Sequence, residues 1–284
     1  MVSGQYRFYQ SGELIAAVNN TVTDNGKRFL LRYLAGLSPA LINCLAVGAG
    51  GTAPTASDVE MNFEFERAPV TLRSVDYTSS DVIFKATMPA GPTGYIYEIG
   101  SFPSVTNASS GRYQSATLFS FNGQENWTNS STRDTTNSRV GGSAISDTIS
   151  SASATITHSN TYTPLDLAGY NITDRFVFAF ITYSNYVQSV SLSFKNTAGD
   201  FMTGVFTPNT HTAGTGLPQY QIISINKSSF TNLDKDWSNI VQTNVTVTSK
   251  SSASGVNQAI ISLDGVKVLD ADQNNPNYSL VSRA

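Results

Sequence analysis

The chain has 284 residues, 40% hydrophobic and 11% aromatic, which is enough for one large or two ordinary domains with a buried core. Charged residues make up only 13%, with a net charge of −3 and a pI of about 5.3, which excludes a broad basic surface for nucleic acid. The single cysteine, Cys44, excludes an intramolecular disulfide and is expected to be buried.

The segment from Thr23 onwards predicts the one helix of the chain. Residues 6–18 alternate weakly and indicate one or two strands, after which apolar residues recur at helical spacing. Thr23 or Asp24 is the expected N-cap and Gly36 the expected stop, so we predict a helix over about 24–36.

A Gly-rich loop, GAGG, follows a predicted buried strand from Ile42 to Val47. Such a loop can cradle a phosphate, but here the GxGxxG spacing, a Lys-Ser/Thr pair and a following helix are all missing. We therefore interpret it as a tight turn.

Charged residues lie among apolar ones in the next strands, predicted at 68–75, 82–88 and 95–102. These residues are Glu66, Arg67 and Glu98, and paired carboxylates of this kind could supply a general acid and base. The usual fate of such groups is a solvated face or an Arg–carboxylate pair at a sheet edge, and we favour that interpretation.

The polar stretch 103–114 indicates a domain boundary and divides the chain into residues 1–112 and 113–284. The second part shows short strands separated by turn signals, with 124–152 as a long surface loop. These strands are predicted at 116–123, 138–146, 153–159, 174–184, 188–196, 200–208 and 220–229. We expect a mainly β protein: a small α+β module with one helix, followed by a β-sandwich of the jelly-roll type.

The last two runs predict a β-hairpin that closes this sandwich. Residues 240–248 and 259–268 both alternate with period two and are joined by a loop of Ser, Ala, Gly and Asn. Asp264–Gly265 is expected to break the second run as a turn.

The stretches TDNGKRFLLRYLAG, AVGAGGTAPTASDVEMNFEFERAPV and GYIYEIGSF together resemble a module of tailed-bacteriophage structural proteins, over about residues 20–103. In that module a short helix precedes a G-x-G-G-T-x-x-P-x-x-x-D loop, an E-R-x-x-V strand and an E-I-G-x-F strand. The matching residues are Gly48, Gly50, Gly51, Thr52, Pro54, Asp58, Glu66, Arg67, Val70, Glu98, Ile99, Gly100 and Phe102. The resemblance implies a virion-docking module.

Residues 116–283 resemble jelly-roll carbohydrate-binding and lectin-like domains, in RVGGSAIS, DLAGYNITDRFVFAF, DWSNI and ISLDGV. Such domains bind glycans or serve as structural modules, and the fold does not decide between the two. Sugar binding needs an exposed aromatic ring beside amide groups, and Trp127, Tyr183, Asn185 and Tyr186 are the candidates. The alternative is that Trp127 packs over the rim of the core and the tyrosines cover a sheet edge.

Metal and catalytic sites have little support in the sequence. Asp270, Asp272 and Asn274 have the one-three-five spacing of a calcium loop but lack its glycine and distal glutamate. His158 and His211 have no partner motif for nucleophilic catalysis. We predict no catalytic residue, no cofactor and no enzyme activity.

These observations and resemblances predict a structural component of a tailed-phage virion, in the tail, baseplate or fibre, that acts in assembly and touches a host-surface glycan. The alternatives are a head decoration or head fibre protein, and a glycan-binding lectin or adhesin. A secreted lectin should carry an export signal, and the N-terminal MVSGQYRFYQSGE has no apolar h-region. A polysaccharide-degrading enzyme should show a pair of acids.

The expected partners are other phage structural proteins and further copies of the chain, with a trimer as the predicted oligomer. Neither nucleic acid nor membrane insertion is expected, since no apolar run reaches the length of a membrane span.

Overall fold

The computed structural model divides the chain into two compact units. Unit 1 comprises Met1–Gly91, Ile96–Ser115 and Asp272–Ala284, and unit 2 comprises Pro92–Tyr95 and Ala116–Ala271. The protein is mainly β with one α-helix among the described residues, which confirms the predicted fold class. The structure describes residues 3–37, 42–88, 96–104, 115–119, 127–129, 133–136, 138–139, 143–170, 175–182, 184–210, 219–269 and 280–284.

In chain order the elements are β1 (Gln5–Gln10), β2 (Glu13–Asn19), β3 (Thr21–Val22), α1 (Asp24–Leu34), β4 (Cys44–Gly48), β5 (Glu64–Asp76), β6 (Asp81–Ala86), β7 (Glu98–Phe102), β8 (Ser115–Phe119), β9 (Arg133–Asp134), β10 (Ala144–Ile149), β11 (Thr155–Leu165), β12 (Arg175–Thr182), β13 (Val187–Asn196), β14 (Phe201–Phe206), β15 (Gln219–Asn226), a 3-10 turn (Lys227–Ser229), β16 (Ile240–Ser249), β17 (Ala259–Leu269) and β18 (Ser282–Arg283).

The helix begins where the sequence predicts and ends at Leu34, two residues before the predicted end at 36. Thr23 is the N-cap, and its Oγ1 accepts a hydrogen bond from the Gly26 backbone N–H at 3.0 Å. After Leu34, Gly36 takes a φ of +71°, a conformation that glycine adopts without strain. In the part of the chain that the structure describes, no helix has the length and apolar character needed to cross a membrane.

Unit 1 is built on a six-stranded antiparallel sheet in the order β3-β18-β7-β4-β5-β6, with β1 and β2 forming a separate two-stranded sheet. The last strand, β18, is inserted between β3 and β7, where Ser282 pairs with both Val22 and Ser101. A small core of Cys44, Ala46, Met61, Phe102 and Leu280 packs on this sheet. The C-terminal residues therefore complete a sheet that the N-terminal quarter of the chain begins.

Unit 2 is a β-sandwich, as predicted. One sheet has the order β15-β12-β17-β10-β9, with β8 also paired to β17, and the other has the order β11-β16-β13-β14. Their inner faces share one apolar core. In this core the ring centroid of Phe176, in the first sheet, lies 5.1 Å from that of Phe194, in the second. Phe230 and Trp237 complete this aromatic cluster.

The predicted closing hairpin is wrong. β16 pairs with β11 and β13 in the four-stranded sheet, whereas β17 pairs with β10 and β12 in the six-stranded sheet. Alternation correctly predicts a half-buried β16, whereas residues on both faces of β17 are buried from 261 to 266. In neither strand does it specify which strand lies alongside. The loop 250–258 carries the chain from one sheet to the other.

Two local predictions in unit 2 also need correction. Asp264–Gly265 does not end the strand, because Asp264 and Val266 pair with consecutive residues of β12 and Gly265 is an extra residue between them. Its φ of +78° suits a glycine in a β-bulge. The predicted surface loop 124–152 contains β9 and β10, and the strand placed at 138–146 begins only at Ala144.

Gly26→Ala is expected to destabilise unit 1, although alanine is the better helix former by about 1 kcal/mol. A Cβ at this position would lie 2.1 Å from the Val281 carbonyl oxygen, and this backbone atom is fixed by the sheet. Such overpacking costs roughly 1–3 kcal/mol, measurable by urea unfolding followed by circular dichroism. Gly255→Ala is the matched control, because no atom lies within 4 Å of its Cβ position. A Gly26→Ala protein as stable as the wild type would contradict this packing.

Candidate functional site

The residues predicted to bind sugar do not form one exposed surface among the described residues. Trp127 is only 6% exposed and packs in the core of unit 2. Asn185 and Tyr186 are half-buried in the turn between β12 and β13, with Tyr186 packed against the same core. Tyr183 lies outside the described residues. Glycan binding by this set stays a prediction.

The calcium candidates Asp270, Asp272 and Asn274 also lie outside the described residues, as does His211. Among the residues that are described, no three His, Cys, Asp or Glu side chains come close enough together to hold a metal ion.

His158 ties the two sheets of unit 2 together. Its fully buried ring places Nε2 2.5 Å from Oδ2 of Asp147, in the opposite sheet, and Nδ1 3.1 Å from the Thr128 carbonyl oxygen. Both ring nitrogens therefore face an acceptor oxygen, one of which belongs to the opposite sheet.

Cys44 is a structural thiol. It is fully buried in β4, and its Sγ donates to the Ser104 carbonyl oxygen at 2.8 Å. Burial raises the pKa of the thiol to about 12, despite the opposing effect of the nearby Arg67 charge. The thiolate needed for nucleophilic attack is therefore scarce at neutral pH.

The four-stranded sheet of unit 2 turns a regular polar surface away from the core. Along each strand, buried side chains alternate with half-buried or exposed ones. We call the outward set the polar sheet face. It comprises Thr155, Thr157, Ser159 and Thr161 of β11, Gln242, Asn244, Thr246 and Thr248 of β16, Ser189, Ser191, Ser193 and Lys195 of β13, and Phe201, Thr203 and Val205 of β14.

Twelve of these fifteen side chains end in a hydroxyl or an amide. Neighbouring strands lie about 4.8 Å apart and alternate residues about 6.8 Å apart, so the polar groups form a grid. Some bond across strands: the Oγ1 atoms of Thr157 and Thr246 are 2.8 Å apart, as are Oγ of Ser193 and Oγ1 of Thr203. The grid offers donors and acceptors to an uncharged polar ligand.

One corner of the polar sheet face carries an aromatic ring beside a cation. Phe201 is 39% exposed, and the Lys195 Nζ lies 5.3 Å from its ring centroid. These residues were not among the sequence candidates. The sequence shows that every second side chain of β16 is polar. Only the order of the strands in the sheet shows that the outward side chains of four strands lie side by side.

A buried ion-pair network organises unit 1 around Arg283. This arginine is 2% exposed, and its guanidinium bonds Oδ2 of Asp58 at 2.8 Å and Oε2 of Glu98 at 2.9 Å. It also donates to the Thr52 carbonyl oxygen at 3.1 Å. Burial opposes ionisation of Asp58, but hydrogen bonds from Thr55 and Arg283 hold the pKa of this carboxyl below its ordinary value.

The Gly-rich loop cradles an anion after all, and that anion is the chain's own Glu98. The carboxylate accepts hydrogen bonds from the backbone N–H groups of Gly50 at 2.9 Å, Phe63 at 2.7 Å and Asn62 at 3.0 Å. A Cβ on Gly50 would lie 2.4 Å from Oε1 of Glu98, and one on Gly48 would lie 2.7 Å from it. The glycines allow this close approach.

Arg67 forms a second buried pair, with Glu64. The two side chains make a bidentate contact of 2.7 and 2.6 Å, and the guanidinium carbon lies 3.7 Å from the centroid of the Phe102 ring. The predicted Arg–carboxylate pair exists, but it lies in an interior strand and uses Glu64 rather than Glu66. Glu98 and Arg67 are buried, so the solvated-face interpretation is wrong for both.

Exposed apolar side chains concentrate in unit 1. Of the nineteen large apolar residues that are exposed in the described part of the chain, sixteen belong to this unit. Twelve of these sixteen lie on β1–β2, on the outer side of α1 and on the β5–β6 hairpin, which continues beyond its pairing with β4. All seven residues of β2 are exposed.

No protein-family model matches the sequence. No curated protein matches it either. No comparison bears on the likeness of residues 20–103 to phage structural proteins, which stays a prediction.

Among solved structures, the family 11 carbohydrate-binding module of the cellulosomal cellulase Lic26A-Cel5E of Clostridium thermocellum is similar at 13% identity and a TM-score of 0.39, over 55% of this chain and 95% of that one. A carbohydrate-binding module of family 28, specific for non-crystalline cellulose, is similar at 15% identity and a TM-score of 0.39, over 54% and 94%. An agarase is similar at 9% identity and a TM-score of 0.37, over 55% of this chain and 26% of the agarase chain. At identities and TM-scores this low, no function is transferred.

Arg283→Met is expected to destabilise unit 1 by about 3–5 kcal/mol, because it leaves the buried Glu98 carboxylate without its cation. Hydrogen exchange of β4 and β7 should accelerate. Tryptophan fluorescence should keep its unfolding midpoint, since Trp127 and Trp237 both belong to unit 2.

Arg73→Met is the matched control, because Arg73 is an exposed arginine of the same unit, and its loss should cost about 1 kcal/mol or less. An Arg283→Met protein within that range of the wild type would contradict the role of the network.

Proposed function

We propose that this chain is a non-enzymatic structural component of a tailed-phage particle, located in the tail, baseplate or fibre, with head decoration as the next position. Unit 1 docks the chain into the particle, and unit 2 is the displayed domain. The observation that carries the proposal is that sixteen of the nineteen exposed large apolar side chains among the described residues belong to unit 1. Exposed apolar surface of this kind marks interaction sites.

The two hairpins of unit 1 support a docking role. A two-stranded ribbon is at best marginally stable in water without a further layer. β1–β2 exposes Tyr9, Leu14 and Ile15 at 54–61%, and β5–β6 exposes Val82 at 60% and Tyr77 at 87%. Contact with neighbouring subunits would bury these side chains and stabilise both ribbons.

The phage assignment rests on the resemblance of residues 20–103. Its motif positions are consistent with a structural role, because Thr52, Asp58 and Glu98 all contact Arg283. Such a rigid base suits a part that must hold its shape during assembly. An active site would need accessible acids or nucleophiles, whereas the candidate acid Glu98 and the thiol of Cys44 are both buried.

Immunoelectron microscopy of tailed-phage particles, purified from cells that produce this chain, tests the proposal. Antibodies raised against unit 2 should label the tail, baseplate or fibre, since that unit is displayed. Label on the head would place the chain in the alternative position. Particles that contain no copy of the chain, by labelling and by mass spectrometry, would refute the structural role.

Glycan binding by unit 2 is the second candidate function, and the polar sheet face favours it. A surface of hydroxyl and amide groups with Phe201 at one corner matches what an uncharged sugar chain presents, namely hydroxyls and an apolar ring face. This function is compatible with the first, because a displayed domain can touch a host-surface glycan.

A glycan array followed by calorimetry tests this second function. Phe201→Ala and Asn244→Ala are each expected to weaken binding about fivefold, since an aromatic contact or a hydrogen bond contributes on the order of 1 kcal/mol. Thr148→Ala is the control, because Thr148 is exposed on β10 in the opposite sheet. An array without signal at high protein concentration would remove the sugar hypothesis, and an unchanged Phe201→Ala affinity would remove this surface as the site.

A further inference from the structure

The β5–β6 hairpin ends in an arrangement that is unfavourable in a single copy of the chain. β4 pairs with β5 only as far as Pro69, so the following residues of β5 pair with β6 alone. The register places Asp76 directly opposite Asp81, and like charges across two strands repel each other. The Asp76 carboxylate accepts a hydrogen bond from the Thr78 backbone N–H at 2.9 Å, and this bond explains why an aspartate stands at position 76 of the turn. It does not explain why a second aspartate, Asp81, stands opposite.

Apolar side chains surround these two acids. Val75 and Val82 pair across one face of the ribbon and are 51% and 60% exposed, and Tyr77 at the turn is 87% exposed. We call Val75, Asp76, Tyr77, Asp81 and Val82 the acidic ribbon tip. It carries the two valines on one face of the ribbon, the two negative charges on the other, and Tyr77 at the turn between them.

The outer side of α1 has the opposite character. Lys27, Arg28, Leu31 and Leu34 follow one another at helical spacing and are all exposed, with Leu31 at 66% and Leu34 at 79%. We call these four residues the basic helix stripe. Lys27 contacts Asp24 at 2.9 Å, but both side chains are more than half exposed, and such a surface pair contributes little.

We infer that the acidic ribbon tip of one copy of this chain binds the basic helix stripe of another copy. Both surfaces combine exposed apolar side chains with charges, and the charges are of opposite sign. Because both are exposed in the single chain, neither covers the other within one copy. This inference rests on the proposed function, for it names one partner of the docking unit.

The contact joins two different surfaces, so it is heterologous. Each copy offers one tip and one stripe, and repetition of the same contact closes into a ring when the rotation allows it. Asp76 and Asp81 would then lie near Lys27 and Arg28 of the neighbouring copy, which replaces repulsion by attraction. The apolar residues beside them would leave water at the same time.

A charge swap measured by mass photometry and sedimentation tests the inference. The full chain should associate at micromolar concentration and less strongly at high salt. Asp76→Asn with Asp81→Lys reverses the tip while keeping an acceptor for Thr78, and Lys27→Glu with Arg28→Glu reverses the stripe. Either pair should raise the dissociation constant roughly tenfold or more. All four substitutions in one chain should restore association.

Asp234→Lys is the control, because Asp234 is an exposed acid in unit 2 and its reversal should leave association unchanged. Circular dichroism of each variant confirms that it is folded. A wild-type chain that stays monomeric at tens of micromolar, or a fourfold variant that fails to associate, would overturn the inference. If the chain is found in particles but the charge swap leaves its self-association unchanged, only this contact is refuted. If the charge swap changes self-association as expected but the chain is absent from particles, only the phage role is refuted.

Discussion

The buried contact between Arg283 and Glu98 is the constraint on which unit 1 depends. Removing two charges from water is costly, and the cost is offset only when each charge is fully bonded. Here the carboxylate receives three backbone N–H groups and the guanidinium, and the guanidinium also reaches Asp58 and Thr52. The Gly-rich loop, β7 and β18 are thereby fixed against one another.

Local signals in the sequence were sufficient where the structure is decided locally. Thr23 and Gly36 mark the helix because capping uses residues within one turn, and the alternation in β16 correctly predicts a half-buried strand. The pairing of β16 and β17 was missed because it depends on partners elsewhere in the chain. Arg283 was missed for the same reason, since its acceptor Glu98 is 185 residues away.

The candidate sites show the same division. The sequence indicates only a tight turn at the Gly-rich loop, and the fold reveals that the Gly50 backbone N–H there binds a glutamate of the chain itself. Trp127 looked like a surface platform because its neighbours are polar, yet its ring is packed in the core. The polar sheet face arises from the order of four strands in one sheet. The sequence of each strand, taken alone, indicates only an ordinary amphipathic strand.

Because β18 belongs to unit 1, the stretch Ala116–Ala271, which holds nearly all of unit 2, is an insertion between β7 and β18. During synthesis on the ribosome, β7 emerges long before its neighbour β18, and unit 2 is completed in the interval. Unit 1 can acquire its buried arginine only after the sandwich has left the exit tunnel. A chain truncated anywhere within the sandwich therefore lacks the last strand of unit 1, so the integrity of unit 1 depends on the completion of unit 2.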